Sequence, residues 1–145
     1  MRTAGLMLLV VVASAAGQEK PQDLTAKDIE ALKGKREITS SEFEGQSAKD
    51  AYKPGTVIVI EGDELYFTDG FAQSPKAKFK LDATAKPKSI DVGVGKGEKK
   101  AAKGIYSLDK DTLKLCLSLD GDRPREFKTK AGDKTNLFVL KRQKP

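Results

Sequence analysis

The stretch Lys86–Phe127, KPKSIDVGVGKGEKKAAKGIYSLDKDTLKLCLSLDGDRPREF, decides the fold. Ser89-Ile90-Asp91-Val92 and Thr112-Leu113-Lys114-Leu115-Cys116-Leu117 alternate apolar with polar residues, the period of a strand with one buried face. Asp109-Lys110-Asp111 and Asp120-Gly121-Asp122 read as the turns between such strands, because Asp accepts hydrogen bonds from nearby backbone N–H groups. The same pattern continues in both directions. Upstream lie Arg36 to Phe43, the β-branched run Thr56 to Ile60, Leu65 to Thr68 after the hairpin signal Glu61-Gly62-Asp63-Glu64, and Ala77 to Leu81 after Asp69-Gly70. Gly104 to Leu108, Thr112 to Leu119, Arg125 to Lys128 and, beyond Ala131-Gly132-Asp133, Asn136 to Lys141 complete the set. About nine short, evenly spaced strands predict a mainly β fold, an antiparallel up-and-down barrel of eight or nine strands, since closing the meander removes exposed edges.

Before the strands, Met1-Arg2, the apolar run Leu6 to Val12 and the small residues Ala13 to Gly17 have the three regions of a secretory signal peptide. That reading gives a leader over 1–17, a polar linker over 18–24 and one domain over 25–145, in a protein that is secreted or periplasmic after cleavage. The leader is too short for a transmembrane anchor, so no transmembrane segment is expected in the mature chain. Thr25, with Asp28 three residues on, predicts a helix of about two turns, with Ile29 and Leu32 on one face and Gly34 as its C-terminal cap. So short a helix needs a docking surface, for which one end of the barrel is suited.

Composition removes many activities. The 145-residue chain has no histidine, no tryptophan and a single cysteine, Cys116. Without histidine there is no Ser-His or Cys-His hydrolase and no His-ligated metal site, and one cysteine makes neither a disulfide nor a Cys-based zinc site. No cofactor and no catalytic residue is therefore expected. The net charge of +6 attracts polyanions without recognising one.

Four groups of residues remain as candidate sites. Cys116 falls on the strand face opposite Leu113, Leu115 and Leu117, beside Lys114 and Ser118, where a thiol is either activated by the lysine or small and inert. Asp109, Asp111, Asp120 and Asp122 flank one strand at its two ends, about 25 Å apart, too far for one metal or acid–base site. The loop Gly93-Val94-Gly95-Lys96-Gly97 lacks the residues of a phosphate loop, but Lys96, Lys99, Lys100 and Lys103 form a basic patch open to envelope polyanions. With no aromatic interleaving, specific nucleic-acid binding is not expected. Ile58, Ile60, Leu65, Phe67, Phe79, Leu81, Ile90, Val92, Leu113, Leu115, Leu117, Val139 and Tyr106 supply the barrel interior. They either pack it solid or line a site for a small apolar ligand, with Ile58, Ile60, Phe67, Phe79, Tyr106 and Leu115 as the lining.

Leu32-Lys33-Gly34, Lys86 to Asp91, Gly104 to Asp109, Asp111 to Cys116, Arg123 to Phe127 and Leu140-Lys141-Arg142 together resemble a family of small secreted domains, abundant in planctomycete-type bacteria and of unknown function. The resemblance implies a lipocalin-like barrel preceded by a short helix, and brings no activity, substrate or cofactor. Where that family usually reads Leu-x-Gly-x-Trp, the Trp plugging the barrel base, this chain has Arg36. An arginine there either snorkels out of the barrel end or pairs with a buried acid. The function expected is a non-enzymatic binding or interaction module; the alternative is a polyanion-associated envelope protein using the basic loop.

Overall fold

The computed structural model describes residues 21–94, 100–119 and 121–143. The expected leader, and Lys96, Lys99 and Asp120, lie outside them. The elements are α1 (Pro21–Leu32), β1 (Gly34–Phe43), β2 (Gln46–Ser47), β3 (Val57–Glu61), β4 (Glu64–Thr68), β5 (Ala77–Asp82), β6 (Ser89–Val94), β7 (Lys100–Asp109), β8 (Thr112–Ser118) and β9 (Thr135–Arg142). Every strand from β3 to β9 pairs antiparallel with its sequence neighbour, β1 pairs with β3, and β9 returns to pair with β1. The result is a closed eight-stranded barrel, with β2 an extra strand on the end of β1.

Turn chemistry sets the hairpins. Glu61 faces Glu64 across a turn with Gly62 at φ +58°, and Asp109 faces Thr112 across a turn with Lys110 at φ +53°. Period-two alternation then sorts the side chains. Ile58, Ile60, Leu65, Phe79, Ile90, Val92, Tyr106, Leu113, Leu115, Phe138 and Leu140 form one buried interior cluster. Val139 does not join it: it stands opposite Lys114 in the ladder, between the inward Phe138 and Leu140, and so faces outward.

A bulge in β1 changes which residues look inward. Ile38 pairs with Leu140 and Ser40 with Val139, so the register slips by one residue between them. Before the slip Arg36 and Ile38 face the interior; after it Ser41, opposite Phe138, and Phe43, opposite Asn136, do so instead.

The helix closes one end of the barrel. It is already helical from Pro21 to Leu24 rather than capping at Thr25, whose hydroxyl instead accepts a hydrogen bond from Ala83 N at 3.4 Å. Residues 21–24, expected as linker, thus belong to the helix. Leu32 is fully buried and Ile29 packs beside it against the interior cluster, and Gly34, at φ +122°, turns the chain into β1. Arg36 lies directly under the helix end with no exposed surface. It does not snorkel out, and among the described residues no acid side chain forms an ion pair with it; it donates to three main-chain carbonyls, Ala31 at 3.0 Å, Asp111 at 3.1 Å and Leu32 at 3.4 Å. A guanidinium thus satisfies carbonyls that the helix C-terminus leaves open, where the dipole favours a cation.

Asp28 fastens the same helix from its other side. Its carboxylate accepts from the Tyr106 hydroxyl at 2.7 Å and from Lys88 Nζ at 2.9 Å. Burial, reinforced by Asp28, raises the Tyr106 phenol well above its ordinary value. Above pH ~10 the unfolded chain therefore releases this proton while the native protein retains it, and stability falls as pH rises, approaching about 1.4 kcal/mol per pH unit for one group. Urea unfolding between pH 9 and 11 checks this; the slope should shrink in Tyr106→Phe, and an unchanged slope would remove Tyr106 from the account.

One expected strand is absent. Arg125 to Lys128 alternates like a strand, but Pro124 precedes it and no neighbouring strand pairs with it. Residues 121–134 instead fold over the outside of the barrel. Arg123 fixes the crossing by donating to Gly104 O at 2.7 Å, Ile90 O at 3.1 Å and Asp91 Oδ1 at 2.6 Å. Thr129, farther along, accepts from Gly45 N at 2.8 Å.

Candidate functional site

The barrel is packed at the helix end and hollow at the other. A cavity of about 330 Å³ opens there, walled by Tyr52, Ile58, Leu65, Phe67, Ala77, Val92, Ala102, Leu115, Leu117, Asn136 and Phe138, among others. Among the described residues its wall contains no charged side chain. The volume is at the lower end of the range that small-molecule sites occupy, about 300–1,000 Å³. Of the six residues expected to line a ligand site, Ile58, Phe67 and Leu115 stand on this wall; Ile60, Phe79 and Tyr106 belong to the packed interior instead. Tyr106 in particular is spent on the helix latch. Solid packing and a lined lumen therefore both occur, one at each end of the same barrel.

Why the far end stays hollow follows from residue size and from one aromatic cluster. Ala77, Gly93 and Ala102 put small residues on three consecutive strands of the wall. Opposite them Tyr52, from the connection between β2 and β3, stacks on Phe67 with ring centroids 5.8 Å apart and meets Phe138 edge-on at 6.0 Å. Tyr52 thus roofs part of the mouth, and burial raises its phenol. Sequence reasoning missed Tyr52 because it sits in a polar connection with no strand periodicity; its only signal is an aromatic residue amid polar ones.

The rim carries an exposed aromatic side chain. Asp69 Oδ1 accepts from Phe71 N at 2.9 Å and Ala72 N at 2.8 Å, bonds that hold its carboxyl below the usual range. The tight turn so formed leaves Phe71 fully exposed.

The remaining candidates separate from the cavity. In the basic patch, Lys100 contributes its backbone to the start of β7, and Lys103 is exposed on the outer surface opposite Asp91, which itself holds Arg123. Lys103 therefore stands beside charges of both signs. Among the described residues no cluster of acidic or cysteine side chains fits a metal ion, and no helix is long and apolar enough to cross a membrane.

Cys116 lies on the outer face of β8, as alternation predicts, but is completely buried beneath the segment around Lys128, with its thiol 3.7 Å from Lys128 O. Burial pushes the thiol pKa up to about 11, so the neighbouring lysine in sequence does not activate it. The native protein should react with an aromatic disulfide reagent at neutral pH only as fast as it unfolds, and rapidly in denaturant. Fast labelling of the native thiol would contradict this placement.

These features define a class by geometry: a closed eight-stranded barrel with a sealed base and a partly roofed mouth whose described wall residues are uncharged. Comparison with family models, with curated proteins and with solved structures finds no match.

Proposed function

We propose that this protein is a non-enzymatic binding module that holds one small apolar ligand in the mouth of its barrel. The observation that carries the reading is a cavity of about 330 Å³ at the barrel mouth whose described wall residues carry no charge. Its wall is mostly apolar, so an apolar ligand filling it gains burial against Ile58, Leu65, Val92, Leu115 and Phe138. The expected leader over 1–17 fits a carrier working in the cell envelope, and the lipocalin-like resemblance fits the same role.

Binding of the neutral dye N-phenyl-1-naphthylamine tests it. Dye fluorescence should rise saturably with the wild-type protein, and it should stay flat with Ala102→Phe, which places a ring in the cavity from a wall position. The filled variant should be as stable as wild type or more so. Equal dye uptake by both proteins would place the dye elsewhere and defeat the reading.

A further inference from the structure

The cavity has one polar side. Tyr52 and Asn136 are on its wall, and Ser41 faces the lumen through its register with Phe138, beside the Tyr52 phenol. Asn136 lies two residues further toward the mouth along β9, opposite Phe43. Ser41 Oγ is buried, with 2% of the residue exposed, and has no hydrogen-bond partner among the described residues. A buried hydroxyl left unpaired is unfavourable in the empty protein, and native interiors seldom keep one without a use. The β1 bulge aims it inward; uninterrupted alternation from Arg36 would have turned Ser41 outward, away from the lumen.

We propose that the ligand is a neutral apolar molecule carrying a single hydrogen-bonding group, such as an alcohol, a phenol or a ketone. Its polar group binds at the seam of β1 and β9, meeting the Tyr52 phenol and the Asn136 amide and giving the unpaired Ser41 hydroxyl a partner. Hydroxyl and amide groups both donate and accept, so either polarity of head group is served. A carboxylate is disfavoured, because none of the described wall residues brings a cation to it and burying an unpaired charge is costly. This inference rests on the cavity being a ligand site, and the experiment separates the two.

Three probes of one shape, naphthalene, 1-naphthol and 1-naphthoate, are titrated by calorimetry at pH 7 against wild type, Tyr52→Phe, Asn136→Leu and Ser41→Ala. Wild type should bind 1-naphthol about threefold to tenfold more tightly than naphthalene, the effect of one net hydrogen bond, and 1-naphthoate at least about tenfold more weakly than 1-naphthol. Tyr52→Phe and Asn136→Leu should each reduce or reverse the preference for 1-naphthol while retaining naphthalene binding. Ser41→Ala should lower that preference and also raise the melting temperature of the empty protein, since it deletes the unpaired hydroxyl; a merely structural serine would lower it. Naphthalene binding as tightly as 1-naphthol in wild type, or 1-naphthoate binding best, would overturn the polar seam and leave the apolar cavity standing. Failure of all three probes to bind would overturn both.

Discussion

Replacing Arg36 with alanine should cost about 3–5 kcal/mol of folding stability, the sum of buried carbonyls losing a charged donor and of the cavity left by a large buried side chain. The side chain is completely buried and supplies the hydrogen bonds that Ala31, Leu32 and Asp111 carbonyls receive from it at 3.0 to 3.4 Å. Arg142 also donates to Ala31 O but is exposed, so it replaces little of that set. Two losses add in the variant: carbonyls at the helix end lose a charged donor, and the space under Leu32 loses the arginine stem. Burial and then the nearby Arg142 make the guanidinium easier to deprotonate, yet arginine remains charged at any pH where the protein is handled. For a domain of this size the melting temperature should drop by roughly 10–25 °C. Arg36→Met, which keeps the stem and removes the donors, should recover less than half of the loss. Full recovery by methionine would mean that packing alone closes the base, and a change under 1 kcal/mol in Arg36→Ala would contradict the plug.

Gly104→Ala should be nearly as damaging, about 3 kcal/mol, through overpacking rather than loss. A Cβ at this position would lie 2.5 Å from Leu117 Cδ2 and 2.6 Å from Cys116 O. The first contact is with a side chain that can rotate, whereas the second is with the backbone of the neighbouring strand, which cannot move without disturbing the ladder between β7 and β8. The Gly104 carbonyl is also an acceptor by which Arg123 pins residues 121–134 to the barrel. Denaturant unfolding of Gly104→Ala and of Gly104→Ala combined with Leu117→Ala separates the two contacts. The double variant should recover only part of the difference from Leu117→Ala alone. Complete recovery would show that the side chain, and not the carbonyl, sets the limit.

How much of this was legible depends on whether the information is local. Strands such as Thr112–Ser118 and the turns at Gly62 and Lys110 are written in alternation and in residues that tolerate the turn geometry, so the barrel and its order follow from the chain read in sequence. Arg125 to Lys128 has the same alternation and is no strand, because a strand needs a partner and alternation does not provide one; Pro124 was the local sign. Half of the expected lining is on the cavity wall. What placed Tyr106 elsewhere is Asp28, 78 positions away, a pairing that no periodicity reports. Ser41 was hidden more thoroughly: a one-residue slip in β1 inverted its direction, and bulges have no reliable sequence signature. Tyr52 and Cys116 owe their roles to connections that fold over the barrel, the part of a β protein least constrained by strand period.

The central claim is that a ligand enters the open end of the barrel and the sealed base takes no part. Backbone amide shifts of isotopically labelled protein, followed by nuclear magnetic resonance during titration with 1-naphthol, test it most directly. Saturable one-to-one shifts should concentrate at Ala102, Leu115, Leu117 and Phe138, while Leu32, Arg36 and Leu140 at the helix end stay in place. Absence of any saturable shift, or shifts confined to the outer face around Lys103 and Arg123, would contradict it.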